Sequence, residues 1–396
     1  MKKIPHLILI SVFTAGSTLA AGQNDNEPKN LSSEILDRKE DKLVFGGYGQ
    51  IDFSKPYTKG ISQNSSLDVS RLILSMGYNF SSRTSFFSEI EFEHVREVFV
   101  EQAFINHSFF DYLNFRAGLM IVPMGIINEY HEPPTFNGVN RPTVDNIIVP
   151  TTWREIGLGF TGRFIEPGIK YQFYLFSGFS GYDGTKGLIN GEKFLRDARQ
   201  RGARSTMTSP DFSAKIDYFG IPGLKVGLSG YFGKTESALF RNLDRSDNTA
   251  TARADSSVIG ITMAGADARY NTGGLSMRGE FILSVQSNTS EYNTFTGNNA
   301  GSRTIGMYAE ISYDVLHSFN SEYRLIPFFR YENYDTHFRV EPEITRLDNY
   351  RVNEYVFGVG LKLAEGAMLK ADMQIAKPDS DEAARKTFNA GVALWF

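Results

Sequence analysis

The sequence predicts an all-β protein, a transmembrane antiparallel barrel of sixteen strands, on three observations. Segments of about ten residues alternate apolar with polar or small side chains along nearly the whole chain, the dyad pattern of a strand with lipid on one face and water on the other. The connections between these segments alternate short and long. The chain closes on KTFNAGVALWF, an alternating strand that ends on an aromatic residue.

Taken in order, residues 1–21 form a signal peptide: Lys2 and Lys3, an apolar run from Leu7 to Phe13, then small residues to Ala20 and Ala21. That run is far shorter than the roughly 20 residues a membrane helix needs. Residues 22–42 are polar and charge-rich and are expected as a solvated periplasmic extension, with a short helix over 32–41. The barrel occupies 43–396. Its strands are expected at 43–54, 67–80, 84–95, 98–109, 112–121, 152–164, 168–178, 210–218, 223–233, 257–270, 274–285, 303–314, 322–334, 350–363, 367–376 and 386–396. With the N-terminus periplasmic, the even junctions are short turns. The odd ones are long extracellular loops, apart from the tight second one near Arg96. A soluble sandwich has no reason to sort its loops in this way. Aromatic residues such as Tyr78, Phe80, Phe109, Phe110, Tyr112 and Phe164 crowd the short-turn ends, as an interfacial girdle does.

The stretch SRLILSMGYNFSSRTSFFSEIEFEHV shows what each face meets. Leu72, Leu74, Met76, Tyr78 and Phe80 fall on one side, facing lipid. Arg71 and, after the turn, Glu89, Glu91 and Glu93 fall on the other, facing an aqueous lumen. Backbone groups in lipid must pair internally, so a closed barrel is the only all-β solution. Sixteen strands enclose a channel rather than a packed core. The same parity sends Arg116, Lys170, Lys215, Lys225 and Arg278 inward, together with Asp267, and hairpin register is expected to set Asp267 beside Arg278. Opposite charges facing across strands mainly stabilise the wall.

Composition removes several classes of function. With no Cys there is no disulfide, thiol chemistry or N-terminal lipid anchor. Loss of the two signal-peptide lysines takes the formal charge from −4 to −6, which gives nucleic acid no reason to bind. Gly157–Gly162 matches G-x-G-x-x-G but lies within a strand, so no helix can receive a pyrophosphate. His107 and Ser108 point to opposite faces, and the histidines show no metal-ligand spacing. Asp244, Asp247 and Asp255 are read as solvated loop carboxylates rather than a calcium site. No cofactor and no catalytic constellation is expected.

The third loop, VPMGIINEYHEPPTFNGVNRPTVDNIIVPT, carries five prolines and many apolar residues over 122–151. A loop that long is usually functional, and this composition predicts an ordered excursion into the lumen. Tyr130, His131, Glu132, Asn137 and Arg141, with Arg154 just beyond, are then the candidate constriction residues, because unpaired cations at a narrow point set anion preference. Lys193, Arg196, Arg199, Arg201 and Arg204 on the fourth loop form a basic cluster, expected as a short amphipathic helix at the mouth. It could draw anions in, pair with acidic neighbours, or meet lipopolysaccharide phosphates.

The run from RAGLMIVPMG through HEPPTFNGVNRP to IVPTTWREIGLGFTGRF, with GIKYQFYLFSG and EKFLRDARQRGAR after it, resembles the phosphate-selective porin O and P family of Bacteroidetes-type Gram-negative bacteria. The resemblance spans nearly the whole mature chain. It implies a sixteen-stranded outer-membrane porin, often trimeric, that passes small anions down a pore lined by Arg and Lys. Expected partners are outer-membrane lipid and lipopolysaccharide, small solutes or inorganic anions, and two further copies of the chain. Two alternatives remain open: a sugar-selective porin stacking its solute on loop aromatics such as Tyr130 and Phe136, and an occluded barrel acting as a surface binding or assembly module.

Overall fold

Alternating strands joined by tight turns close on themselves into one barrel. The computed structural model describes residues 30–58, 61 and 63–396. The expected signal peptide and the first part of the extension lie outside the described residues. Eighteen strands follow in chain order: β1 (Leu43–Tyr57), β2 (Ser66–Asn79), β3 (Thr84–Glu93), β4 (Glu97–Phe110), β5 (Leu113–Ile121), β6 (Arg154–Phe164), β7 (Ile169–Phe176), β8 (Ser180–Tyr182), β9 (Asp211–Ile221), β10 (Leu224–Lys234), β11 (Glu236–Ser237), β12 (Gly260–Thr272), β13 (Leu275–Ser287), β14 (Arg303–Tyr313), β15 (Arg324–Arg339), β16 (Arg351–Ala364), β17 (Ala367–Pro378) and β18 (Arg385–Trp395). Sixteen form the closed antiparallel barrel, and β8 with β11 makes a small parallel pair in the extracellular loops. Every expected strand is present. β18 pairs with β1, and Phe396 and Gly47 exchange backbone hydrogen bonds of 2.9 and 2.8 Å that finish the seam.

The alternation resolves into two solvents. Leu72, Leu74, Ile90, Phe92, Leu158, Phe173, Leu228 and Phe357 are exposed on the outside, while Ile73, Glu89, Glu91, Lys215, Asp267 and Arg330 are buried inside. An apolar band of that extent has no place in water. Part of the aromatic girdle is visible at the short-turn rim of β4 to β7, where Phe110, Tyr112, Phe164 and Tyr171 stack in succession at 5.3, 5.7 and 5.9 Å.

One register differs from expectation. Asp267 faces Glu280, and Arg269 faces Arg278. The turn is the two-residue Gly273–Gly274, both at positive φ (49° and 87°), and this tight hairpin moves every partner by two positions. The charges are paired by other strands: Arg278 meets Glu310 at 2.7 Å, and Asp267 meets Lys215 at 3.2 Å.

The N-terminal extension also differs. Helix α1 (Leu31–Asp37) buries Leu31, Ile35 and Leu36 against the inner wall, while residues 37–42 are exposed as expected. Val44, Gly46, Ile73 and Gly77 face inward on β1 and β2 and form an apolar, glycine-relieved seat. A Cβ at Gly77 would lie 2.3 Å from Ile35 Cγ2, so only glycine lets the helix settle there. The Asn30 side chain caps the helix through the Ser33 amide at 3.0 Å.

Candidate functional site: the lumen and its third loop

The third loop does turn into the lumen, and its neck shows how. Val122 N–H donates to the Trp153 carbonyl at 3.1 Å, and the Asn128 amide donates to both the Val122 and Trp153 carbonyls at 2.7 and 3.0 Å. Asn128 Oδ1 accepts from Trp153 N–H at 2.7 Å, so one side chain zips the two ends together. The body of the loop is then tied around the inner wall. Lys215 Nζ donates to the Gly125 carbonyl at 2.6 Å, and Ile126 N–H donates to Glu280 at 2.6 Å. Lys370 Nζ donates to three loop carbonyls, Pro133, Phe136 and Gly138, at 2.5, 2.6 and 2.9 Å. Val139 N–H donates to Asp372 at 2.7 Å and Val144 N–H to Glu332 at 3.0 Å. Thr143 Oγ1 donates to Glu354 at 2.9 Å.

The six constriction candidates separate into distinct roles. Tyr130 is buried beneath cations: Lys225 Nζ donates to its hydroxyl at 3.0 Å, and the Arg269 guanidinium sits 4.2 Å from its ring centre. Phe136, the other aromatic of the proposed sugar track, lies 4.1 Å beneath Lys370. Neither ring lines an open path. His131 is buried against Glu101 at 3.5 Å. Glu132 accepts from the Leu31 amide at 2.6 Å, which docks α1 against the loop. Asn137 donates to Glu310 at 2.8 Å. Arg154 is buried, 3.6 Å from Glu101. Arg141 stays partly exposed. It donates to the His131 carbonyl at 3.0 Å and to Thr152 Oγ1 at 3.4 Å, with no carboxylate in ion-pair range among the described residues.

The wall residues all point inward, and most are paired. Arg71 faces Glu93 in register and reaches Glu91 at 3.8 Å. Glu89 accepts from Gln102 at 2.5 Å. Arg116 donates to Asn106 at 2.9 Å, Lys170 lies 3.6 Å from Glu129, and Lys225 lies 3.5 Å from Asp217. Lys215 is shared by Glu129 at 2.8 Å and Asp267.

The fourth-loop cluster is not an amphipathic helix. A single 3-10 turn, Arg196–Ala198, is all that forms, since Arg201, Gly202 and Arg204 take positive φ values that end any helix. Lys193 pairs with Asp197 at 3.2 Å on the surface, and Arg201 and Arg204 are exposed. Arg196 and Arg199 turn inward onto the returning limb of the third loop. Arg196 donates to the Asn146 and Thr151 carbonyls, both at 3.1 Å, and Arg199 to those of Pro150 and Thr152 at 2.8 and 3.0 Å. Burial first, then the Arg196, Arg201 and Arg154 cations, push the Arg199 guanidinium down to about 8. Burial and Arg201 likewise lower Arg196.

Several residues of this site escape a reading by sequence. Lys370, Asp372 and Glu354 sit at inward positions of β16 and β17, and only parity marks them. Glu101 is turned to the lumen side, where it is buried, by a bulge that no local sequence signal announces. Elsewhere the structure uses Asp247 to cap α2 (Asn248–Asp255) and Asp244 to hold the Ser246 amide, ordinary loop duties.

No family model matches the chain. Among solved structures it is similar to the outer membrane channel DcaP of Acinetobacter baumannii, with a TM-score of 0.58 and 10% identity over 89% of this chain and 97% of that one. It is similar to OprB of Pseudomonas putida, at 0.56 and 14% over 92% and 96%, and to an anion-selective porin from Comamonas acidovorans, at 0.53 and 11% over 89% and 99%. These likenesses are of fold: the closed sixteen-stranded porin barrel. With its outward apolar band, that fold places the chain in the outer membrane of a Gram-negative bacterium. By sequence it is 30% identical over 338 residues to an uncharacterized protein of Aquifex aeolicus, spanning 83% of this chain and 74% of the relative. The chain belongs to the family of that Aquifex protein.

Proposed function

We propose that the barrel is a porin through which small hydrophilic solutes diffuse passively, with a preference for small anions of the phosphate type. One observation carries this reading: Arg141, Arg196 and Arg199 spend their donors on neutral oxygens, backbone carbonyls and one Thr152 hydroxyl, while most wall cations spend theirs on carboxylates. A carbonyl satisfies hydrogen bonds without cancelling charge. These arginines therefore keep a net positive field along the third loop and its approach, and such a field selects anions. The depressed Arg199 guanidinium supports the same view, since an added anion relieves its repulsion from Arg196 and Arg201. Phosphate preference and assembly as a homotrimer follow from the resemblance to the porin O and P family. No catalytic step belongs to this reading. The sugar-selective alternative loses its main support, because Tyr130 and Phe136 are covered by Lys225, Arg269 and Lys370.

The test is a planar bilayer with purified protein and a potassium chloride gradient. Stepwise conductance with a reversal potential toward chloride is expected, reduced in Arg141→Gln and reduced further in Arg196→Gln/Arg199→Gln. A reversal potential at zero or toward potassium would sink the anion preference and leave the porin. A folded barrel without conductance steps would overturn the channel and favour the binding or assembly module.

A further inference from the structure

Where His131 of the third loop meets β3 and β4, three titratable side chains come together. Glu89 on β3, Glu101 on β4 and His131 on the loop are all buried, and one ligand atom from each lies within 4.8 Å of the others. The strand pairing explains the meeting of the two carboxylates. The β3–β4 ladder passes from Glu89–Gln102 directly to Ile90–Val100, so Glu101 is the extra residue of a bulge. A bulge re-aims the side chain it carries, and here it brings Glu101 inward close to Glu89.

His131 is aimed by its other nitrogen. Nδ1 lies 3.1 Å from the Asn128 carbonyl, which can only accept, so Nδ1 carries the proton. Nε2 is thereby directed at Glu101 Oε2, 3.5 Å away, beyond an ordinary hydrogen bond. Among the described residues, neither His131 Nε2 nor Glu101 Oε1 has a hydrogen-bond partner. Two ligands each about 2.1 Å from a tetrahedral ion stand about 3.4 Å apart, which the Nε2–Oε2 separation approximates. The remaining contacts orient the carboxylates. Gln102 donates to Glu89 Oε2 at 2.5 Å, Ser75 to Glu89 Oε1 at 3.3 Å, and Tyr48 to Glu101 Oε2 at 3.1 Å. Outer partners of this kind fix metal ligands in place. Arg154, 3.6 Å from Glu101 Oε1, offsets one carboxylate charge and leaves the other.

We propose that Glu89, Glu101 and His131 bind a single first-row divalent cation, Zn2+ by donor set, which fastens the third loop to the barrel wall. One imidazole and two carboxylates suit a borderline ion, whereas Ca2+ takes six to eight oxygens and Mg2+ holds its waters. The site stands apart from the anion preference, because the bound ion acts on the loop's attachment whichever solute passes.

The experiment uses the full-length folded barrel in detergent, stripped with a chelator and dialysed against Zn2+, with metal per chain measured by plasma mass spectrometry. The expected result is one Zn2+ per chain in the wild type, with binding weakened about tenfold or more in His131→Gln and in Glu89→Gln. Heat-modifiable gel mobility confirms that each variant is folded. Zinc absorption spectroscopy on the wild type is expected to show one imidazole with oxygen ligands. A folded wild type that retains no zinc overturns the proposal. So does equal zinc in the wild type and both variants, or a spectrum with oxygen ligands alone.

Discussion

Lys215 and Arg199 both donate to the backbone of the third loop, and they are neutralised to different degrees. Lys215 also lies 2.8 and 3.2 Å from the carboxylates of Glu129 and Asp267. Among the described residues Arg199 donates to carbonyls alone, those of Arg196, Pro150 and Thr152. The first cation is cancelled where it stands, so its role is to hold the loop. The second holds the loop just as well and remains a charge that a passing ion can feel. Sorting lumenal cations by what they touch therefore separates architecture from selectivity, although both kinds line one lumen.

The largest effect should come from breaking the neutralised kind. Lys215→Met leaves Glu129 and Asp267 buried without their shared cation, and removal of one partner from such a network costs about 3–5 kcal/mol. A clear fall is expected in the temperature at which the barrel loses its heat-modifiable gel mobility. An unchanged transition would mean that water in the lumen already satisfies both carboxylates.

The N-terminal helix tests whether the glycine seat acts in the same architectural way. Gly77→Val would set a Cβ 2.3 Å from Ile35 Cγ2 and displace α1, at about 1–3 kcal/mol for overpacking. Single-channel conductance is expected to rise as the periplasmic side of the lumen clears, with the reversal potential little changed. Conductance equal to wild type would show that α1 lies beside the conducting path.

How far these sites are legible in sequence depends on the range of the interaction. Strand positions and inward parity follow from local alternation, because each strand faces two different solvents, and Lys215, Asp267 and Glu89 all lie where parity sends them. Partners across a hairpin are more fragile. A register slip of two positions at this turn is enough to replace the Asp267–Glu280 pair by Asp267–Arg278. The inward turn of the third loop shows in its prolines and apolar residues, yet Lys370 and Asp372, which hold it, lie more than 200 positions away. Residues 22–42 read as solvated because their polarity is plain. The signal for docking sits on the other partner, in the inner row of Val44, Gly46, Ile73 and Gly77.

The selective kind of cation should yield a smaller and salt-dependent effect. Raising potassium chloride from 0.1 to 1 M shortens the screening length from about 10 to about 3 Å. Arg196 and Arg199 sit on the extracellular loop, so the loss of anion preference in Arg196→Gln/Arg199→Gln should be large at low salt and slight at high salt. Arg141, deeper on the third loop, should keep more of its effect at both concentrations. The stability cost is about 0.5–1.5 kcal/mol for each lost hydrogen-bonding group. Equal salt sensitivity for both sets would place them at the same depth in the field.

The smallest effect belongs to charges that are paired and exposed at once. Glu365 takes Lys362 at 3.1 Å and Arg324 at 3.7 Å in a periplasmic turn, and its side chain is 87% exposed. Arg324 stands at the rim in open solvent, where ion pairs gain little and salt screens them. Glu365→Ala is expected to leave the thermal transition within about 0.5 kcal/mol of wild type and the reversal potential unmoved. A measurable shift in selectivity from this position would mean that the field at the periplasmic exit matters as much as that at the third loop. In that case, what a cation touches would no longer suffice to tell which charges select.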